Sequence, residues 1–189
     1  QLAEAERQQI WIIAPPPDVQ SGRSINSSHR RVLCWHLGAQ LDARQVAQTR
    51  DLAFAVRRAD EQPGRPLLAE AHEQMRTYSR IANGMMLSRE PLGTSFELDE
   101  LSNWCEARRQ LLRPGTPTWA TVQTEPLATL QQQLQLQGLD APSVDAQQIR
   151  MVAMSVVAGG ARGLIFTSRR RLDGDDEQSL HRAQAIELV

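Results

Sequence analysis

Apolar residues in this chain fall into two alternating patterns. Some form short unbroken runs closed by proline, glycine or polar residues; others recur every three or four positions among charges. The first pattern suits strands buried on both faces, as in parallel sheets, and the second suits amphipathic helices. "IWIIAPPP" is a run of the first kind, stopped by its prolines. A polar loop from Asp18 to Arg31 follows, and "VLCWHLG" then gives a second strand closed by Gly38. Leu41, Val46, Leu52, Ala53 and Val56 have helical spacing, and "DEQPG" ends that helix.

The alternation continues to the end of the sequence. "RPLLAEA" predicts a third strand, "EQMRTYSRIA" a short helix and "GMMLSREP" a fourth strand. Ser95 stands as N-cap of a helix over Phe96 to Arg113, whose stripe is Leu98, Leu101, Trp104, Cys105, Leu111 and Leu112. "TWATVQTE" is a fifth, β-branched strand. The Leu/Gln-rich segment to Gly138 reads as a helix with leucines at Leu127, Leu130, Leu134 and Leu136. A helix from Asp145 to Ala158, carrying Ile149, Val152, Ala153, Val156 and Val157, ends at "GGARG"; "LIFTS" is a sixth strand and a last helix starts near Asp175. Strict alternation with long crossovers means α/β architecture with parallel strands.

The 189 residues suffice for one large domain, and a net charge of −1 supplies no field to gather nucleic acid. No apolar run approaches the roughly 18 residues of a membrane span, and no targeting signal assigns a compartment. Two cysteines, Cys34 and Cys105, read as buried thiols. Neither G-x-G-x-x-G nor a P-loop occurs, and "GGARG" precedes a strand where a phosphate cradle would follow one. No cofactor and no metal are predicted, since His36, His72 and Glu70 lack ligand spacing.

In a barrel of parallel strands, chemistry gathers at the C-terminal strand ends. Here those ends carry Asp18, His36 and Gln40, Glu70 and His72, Arg89 and Glu90, Gln123 and Glu125, then Ser168, Arg169 and Arg170. Trp35 and His36 are neighbours on opposite pleat faces, so a regular strand turns one of them away from any site.

"RVLCWHLGAQL", "VRRADEQPGRPLLAEA", "RPGTPTWATVQTEP" and "AGGARGLIFTSRR" resemble, in order, the fourth, fifth, seventh and eighth strand regions of retaining glycoside hydrolases with (β/α)8 barrels. "GMMLSREP" then falls at the sixth strand and "IWIIAPPP" at the third. The resemblance implies a partial (β/α)8 TIM barrel holding strands three to eight. On this reading 1–189 is one glycoside-hydrolase-like barrel domain, a fragment lacking the first two β/α units, completed by the rest of the same protein or a second chain.

In that family a nucleophilic glutamate ends the seventh strand, and an acid/base glutamate follows an asparagine after the fourth. Retention needs the two carboxyl groups roughly 5 to 5.5 Å apart. The resemblance puts Glu125 at the nucleophile's place and puts Ala39 and Gln40 where the family has Asn and Glu. An amide does not supply the proton of general acid catalysis, a term worth about 10²- to 10⁴-fold. Glu70, Glu90 and His36 are the residues that could take over as acid/base, and Trp35, Gln40, Gln123 and Arg169 are the substrate-binding candidates. The alternative for Glu125 is a strand-end carboxylate paired with an arginine such as Arg169, and for Trp35 and Trp119 it is core packing. Three functions are compatible with these residues: a divergent glycoside hydrolase, a catalytically inactive barrel that binds carbohydrate, and a structural or interaction module of a larger protein.

Overall fold

A computed structural model of the chain describes residues 2–19, 24–139, 144–169, 174 and 176–187. Parallel strands alternate with helices throughout, the α/β class that the periodicity predicts. The chain divides into two compact units, one of Gln1–Met86 with Leu111–Pro117, the other of Leu87–Gln110 with Thr118–Val189.

The first unit runs α1 (Leu2–Arg7), β1 (Ile12–Ala14), β2 (Val32–His36), α2 (Val46–Ala59), β3 (Leu67–Glu70), α3 (Met75–Ile81) and β4 (Gly84–Leu87, of which Gly84–Met86 lie here). β1 pairs with β2, β2 with β3 and β3 with β4, all in parallel. Helix α2 starts later than Leu41. Asp42 caps a 3-10 turn, Ala43–Gln45, through a reciprocal pair in which its carboxylate accepts from Arg44 N–H (2.8 Å) and Gln45 Oε1 accepts from Asp42 N–H (3.1 Å). Ala53 and Val56 then face a core that includes Trp35, Leu67, Tyr78 and Met85, while Phe54 on the other side of the helix is 61% exposed. Tyr78 donates its hydroxyl to the Asp42 carbonyl (2.7 Å), fixing α3 to the start of α2. β1 departs from expectation. Its three residues are only half-buried, because it is paired on one side alone among the described residues, and Ile10 and Trp11 ahead of it are exposed.

The second unit runs α4 (Leu98–Gln110), β5 (Thr118–Gln123), α5 (Ala128–Leu136), α6 (Ala146–Ala158), β6 (Gly163–Thr167) and α7 (Glu177–Glu187). β5 and β6 are parallel, in register from Trp119 opposite Gly163 to Gln123 opposite Thr167. Trp119 lays its ring over Gly163, 3.0 Å from where a Cβ would stand. α6 packs on α4, β5 and α7, burying Ile149, Val152, Ala153 and Val156. Gly159 is required where α6 meets α4: a Cβ there would lie 2.5 Å from Cys105 Cβ and 2.7 Å from the Ser102 carbonyl.

Several local expectations are corrected in this unit. α4 begins at Leu98, so Ser95 is not its N-cap; Thr94 Oγ1 accepts the Phe96 N–H instead (3.1 Å). Its stripe keeps Leu101 and Cys105 buried, but Leu111 lies beyond the helix and is exposed. α5 buries no residue at all, and Leu136 is 82% exposed. Val157 likewise faces outward. Asp175 and Arg170 lie outside the described residues; Asp176 caps α7, accepting from Ser179 N–H (3.0 Å).

Candidate functional site

In the first unit the end of β2 sends successive side chains to opposite faces. Trp35 is 1% exposed and faces away from the strand-end site; its indole donates to Asp60 Oδ2 (2.7 Å), and the Arg65 guanidinium lies 5.1 Å from the ring centroid. Arg65 and Asp60 pair at 3.2 Å, both 5% exposed. Trp35 is thus a core residue whose one polar atom is satisfied, and it offers no free face for stacking a sugar. His36, on the other face, is half-buried, and its Nε2 has no hydrogen-bond partner among the described residues. Burial holds its pKa below the usual imidazole value.

Beyond His36 the chain keeps pairing with β3. Leu37 N–H donates to Leu68 O (2.8 Å), Glu70 N–H to Gly38 O (3.0 Å) and Leu41 N–H to Glu70 O (2.9 Å). Gly38 has φ +151°, and a side chain there would run into Leu41 at 2.9 Å. Gln40 takes a left-handed backbone, φ +53°, and donates from its amide to Glu70 Oε1 at 2.7 Å. Burial pushes the Glu70 carboxyl above the usual carboxylate range, and the Gln40 donor opposes that in part. The structure therefore brings together two of the residues named from the sequence, Gln40 and Glu70.

In the second unit Gln123 is 3% exposed and both of its amide donors are spent within the protein. Oε1 accepts from Leu92 N–H (2.8 Å), while Nε2 donates to Leu92 O (3.0 Å) and to Glu125 O (2.7 Å). It ties the loop after β4 to the end of β5, so no N–H donor remains for a substrate. Glu125 is 7% exposed. Ser168 donates to its Oε1 (2.9 Å), Arg182 lies 3.6 Å from Oε1, and Arg169 lies 3.6 Å from Oε2 and also donates to the Pro126 carbonyl. Arg182 donates on to Ser179 Oγ (2.9 Å), which donates to Asp176 Oδ2 (2.5 Å); these donors hold the Asp176 carboxyl below its usual range. Glu90 is exposed, and Arg89 beside it stacks on Phe96 at 4.4 Å.

Arg182 and Ser179 are the residues that strand-end reasoning misses. They sit on a helix distant in sequence from Glu125. The signal was present in "DEQSLHR", where Asp176, Ser179 and Arg182 recur every third residue and so share one helix face.

No family model matches this sequence, and no curated protein matches it. Among solved structures the chain is similar to a "putative alpha-L-fucosidase" from Bacteroides thetaiotaomicron, with a TM-score of 0.57 and 9% identity, over 84% of this chain and 53% of that one. The chain thus spans about half the length of the protein it matches. At that identity the likeness is one of fold.

Chemically the two strand-end clusters differ. Glu125 is enclosed by two guanidinium groups and a hydroxyl, which compensates its charge and covers its oxygens. Glu70 has one neutral amide for company and is pushed toward protonation. Among the described residues no three His, Cys, Asp or Glu lie close enough to hold a metal ion, and no helix is long and apolar enough to cross a membrane.

Proposed function

We propose that this chain is part of a (β/α)8 barrel akin to those of glycoside hydrolases and that it binds carbohydrate without hydrolysing it. The strand order, read as strands three to eight, and the likeness of fold to a fucosidase support the barrel and the ligand class. The observation that carries the loss of hydrolysis is the setting of Glu125. A nucleophile must reach an anomeric carbon, and this carboxylate is 7% exposed inside a cage of Arg182, Arg169 and Ser168. The position of its customary acid/base partner holds Gln40. The remaining two β/α units come from further sequence of the same protein or from a second chain, since an unpaired strand edge is a liability.

The test is calorimetric binding of methyl glycosides, fucosides included, alongside release of nitrophenol from the matching aryl glycosides. Binding without turnover, unchanged in a folded Glu125→Gln variant, is expected. Turnover that disappears in Glu125→Gln would restore Glu125 as nucleophile. Absence of any glycan binding would leave a structural or interaction module.

A second reading, hydrolysis with Glu70 as proton donor, is favoured by the burial that raises its pKa. It requires a rate that falls as pH rises through the Glu70 pKa and that is lost in Glu70→Gln.

A further inference from the structure

We propose that Gln40 and Glu70 form a hydroxyl clamp that reads two neighbouring hydroxyl groups of a neutral pyranose. This rests on the carbohydrate reading above and adds which side chains touch the ligand and which ligands they refuse.

Three observations converge on the pair. First, it is rigidly mounted, because the backbone around Gln40 continues the β2–β3 ladder through Glu70 N–H to Gly38 O (3.0 Å), Leu41 N–H to Glu70 O (2.9 Å) and His72 N–H to Leu41 O (3.1 Å). Sites built on such extensions hold their geometry better than free loops. Second, Gln40 holds φ +53°, a left-handed conformation that is uncommon for a non-glycine residue and enriched at binding and active sites. In this conformation its amide reaches Glu70. Third, the 2.7 Å contact is the one side-chain hydrogen bond either residue makes among the described residues. It leaves Gln40 Oε1, the second amide N–H and Glu70 Oε2 uncommitted.

That residual set is two acceptors flanking one donor. A hydroxyl both donates and accepts, so one sugar hydroxyl can donate to Glu70 Oε2 while its neighbour accepts from the Gln40 N–H and donates to Oε1. The glutamine is essential to this pattern. A second carboxyl 2.7 Å from Glu70 would share its proton instead of offering an N–H. Among the described residues no Arg or Lys forms an ion pair with Glu70, whose side-chain partner is the neutral Gln40 amide, so a ligand carboxylate would meet an uncompensated negative charge. The clamp selects neutral sugars. The titratable and charged groups on the elements around it include Cys34 and His36 on β2, Asp42 and Arg44 in the turn that follows Gln40, His72 and Glu73 in the turn after β3, and Tyr78 on α3; β4 places Met86 opposite Glu70 in register.

Calorimetry with the methyl glycosides of fucose, galactose and glucose, with methyl glucuronoside and with sorbitol tests the clamp between pH 4 and 8. Hydroxyls donate to a carboxylate more strongly than to a carboxyl, so affinity for the neutral glycosides should rise with pH through the Glu70 titration. Glu70→Gln, checked by thermal melting, should flatten that rise and weaken binding about tenfold, and Gln40→Ala should weaken it by a similar factor while keeping the pH response. Wild-type protein that binds none of the glycosides overturns the carbohydrate reading and the clamp together. Binding whose strength and pH profile survive in Glu70→Gln overturns the clamp alone, as does a pH response that vanishes in His36→Asn instead. Tighter binding of the glucuronoside overturns the neutral-ligand assignment, and equal binding of sorbitol overturns the pyranose.

Discussion

Glu125 is where a single residue is read most differently in sequence and in space. At the end of β5 its position matches a nucleophile; its surroundings are those of a buried ion pair with Arg182, the two side chains 7% and 6% exposed. Removing one member leaves the other charge buried, so Glu125→Ala and Arg182→Met should each lower unfolding free energy by about 3 kcal/mol. The double variant Glu125→Ala/Arg182→Met should cost clearly less than the sum, since the two residues interact directly. Urea denaturation checks both, and additive losses would show that the pair is not coupled. Two other residues contribute to the pH response of stability. His36 has its pKa depressed by burial below 6.5, so its contribution is fully present above pH 6.5 and is lost as pH falls through its folded value. Glu70 has its pKa raised above 4.5, so its contribution is fully present below pH 4.5 and is lost as pH rises through its folded value. Melting temperatures across pH 4 to 8 should therefore show a shallower acid-side decline in His36→Asn and a shallower loss above pH 4.5 in Glu70→Gln.

At the scale of elements the unbroken apolar runs and the recurrence every three or four residues were written plainly, and strands and helices fall where they predict. The exceptions have local causes. Ser95 has the composition of an N-cap, but Thr94 already captures the Phe96 N–H and the helix starts at Leu98. The leucines of α5 share helical spacing with glutamines, yet none is fully buried: Leu130 and Leu134 are half-covered and Leu136 is exposed. Leu136→Gln should accordingly change stability by less than about 0.5 kcal/mol. Gly159→Ala should cost about 2 kcal/mol, because its methyl group would collide with Cys105 and the Ser102 carbonyl between two packed helices. Thermal melts of the two variants give the contrast directly: a Gly159→Ala protein as stable as wild type would mean that α4 and α6 can separate freely at that point.

For the whole molecule, each compact unit carries one buried thiol, Cys34 in the first and Cys105 in the second. Burial raises both from 9.0 to about 11. Two units of pKa leave about a hundredfold less thiolate at neutral pH, before any steric protection. Both thiols should thus resist a thiol reagent in the native protein and react fast once unfolded; Cys34→Ser and Cys105→Ser variants assign each signal to its unit. Ready labelling of native Cys34 would mean that the core around β2 opens. The sequence by itself determined the α/β class, the order of strands and helices, the buried thiols and the polar character of the strand ends, because each of these is recorded in neighbouring residues. Which polar residues are spent on the fold and which stay uncommitted was decided by tertiary structure alone. Gln123, Glu125 and Trp35 are satisfied by Leu92, Arg182 and Asp60, partners far along the chain, whereas Gln40 and Glu70 satisfy each other only in part. Electrostatic and hydrogen-bond satisfaction depends on distance in space, and hydrophobic periodicity carries no record of it.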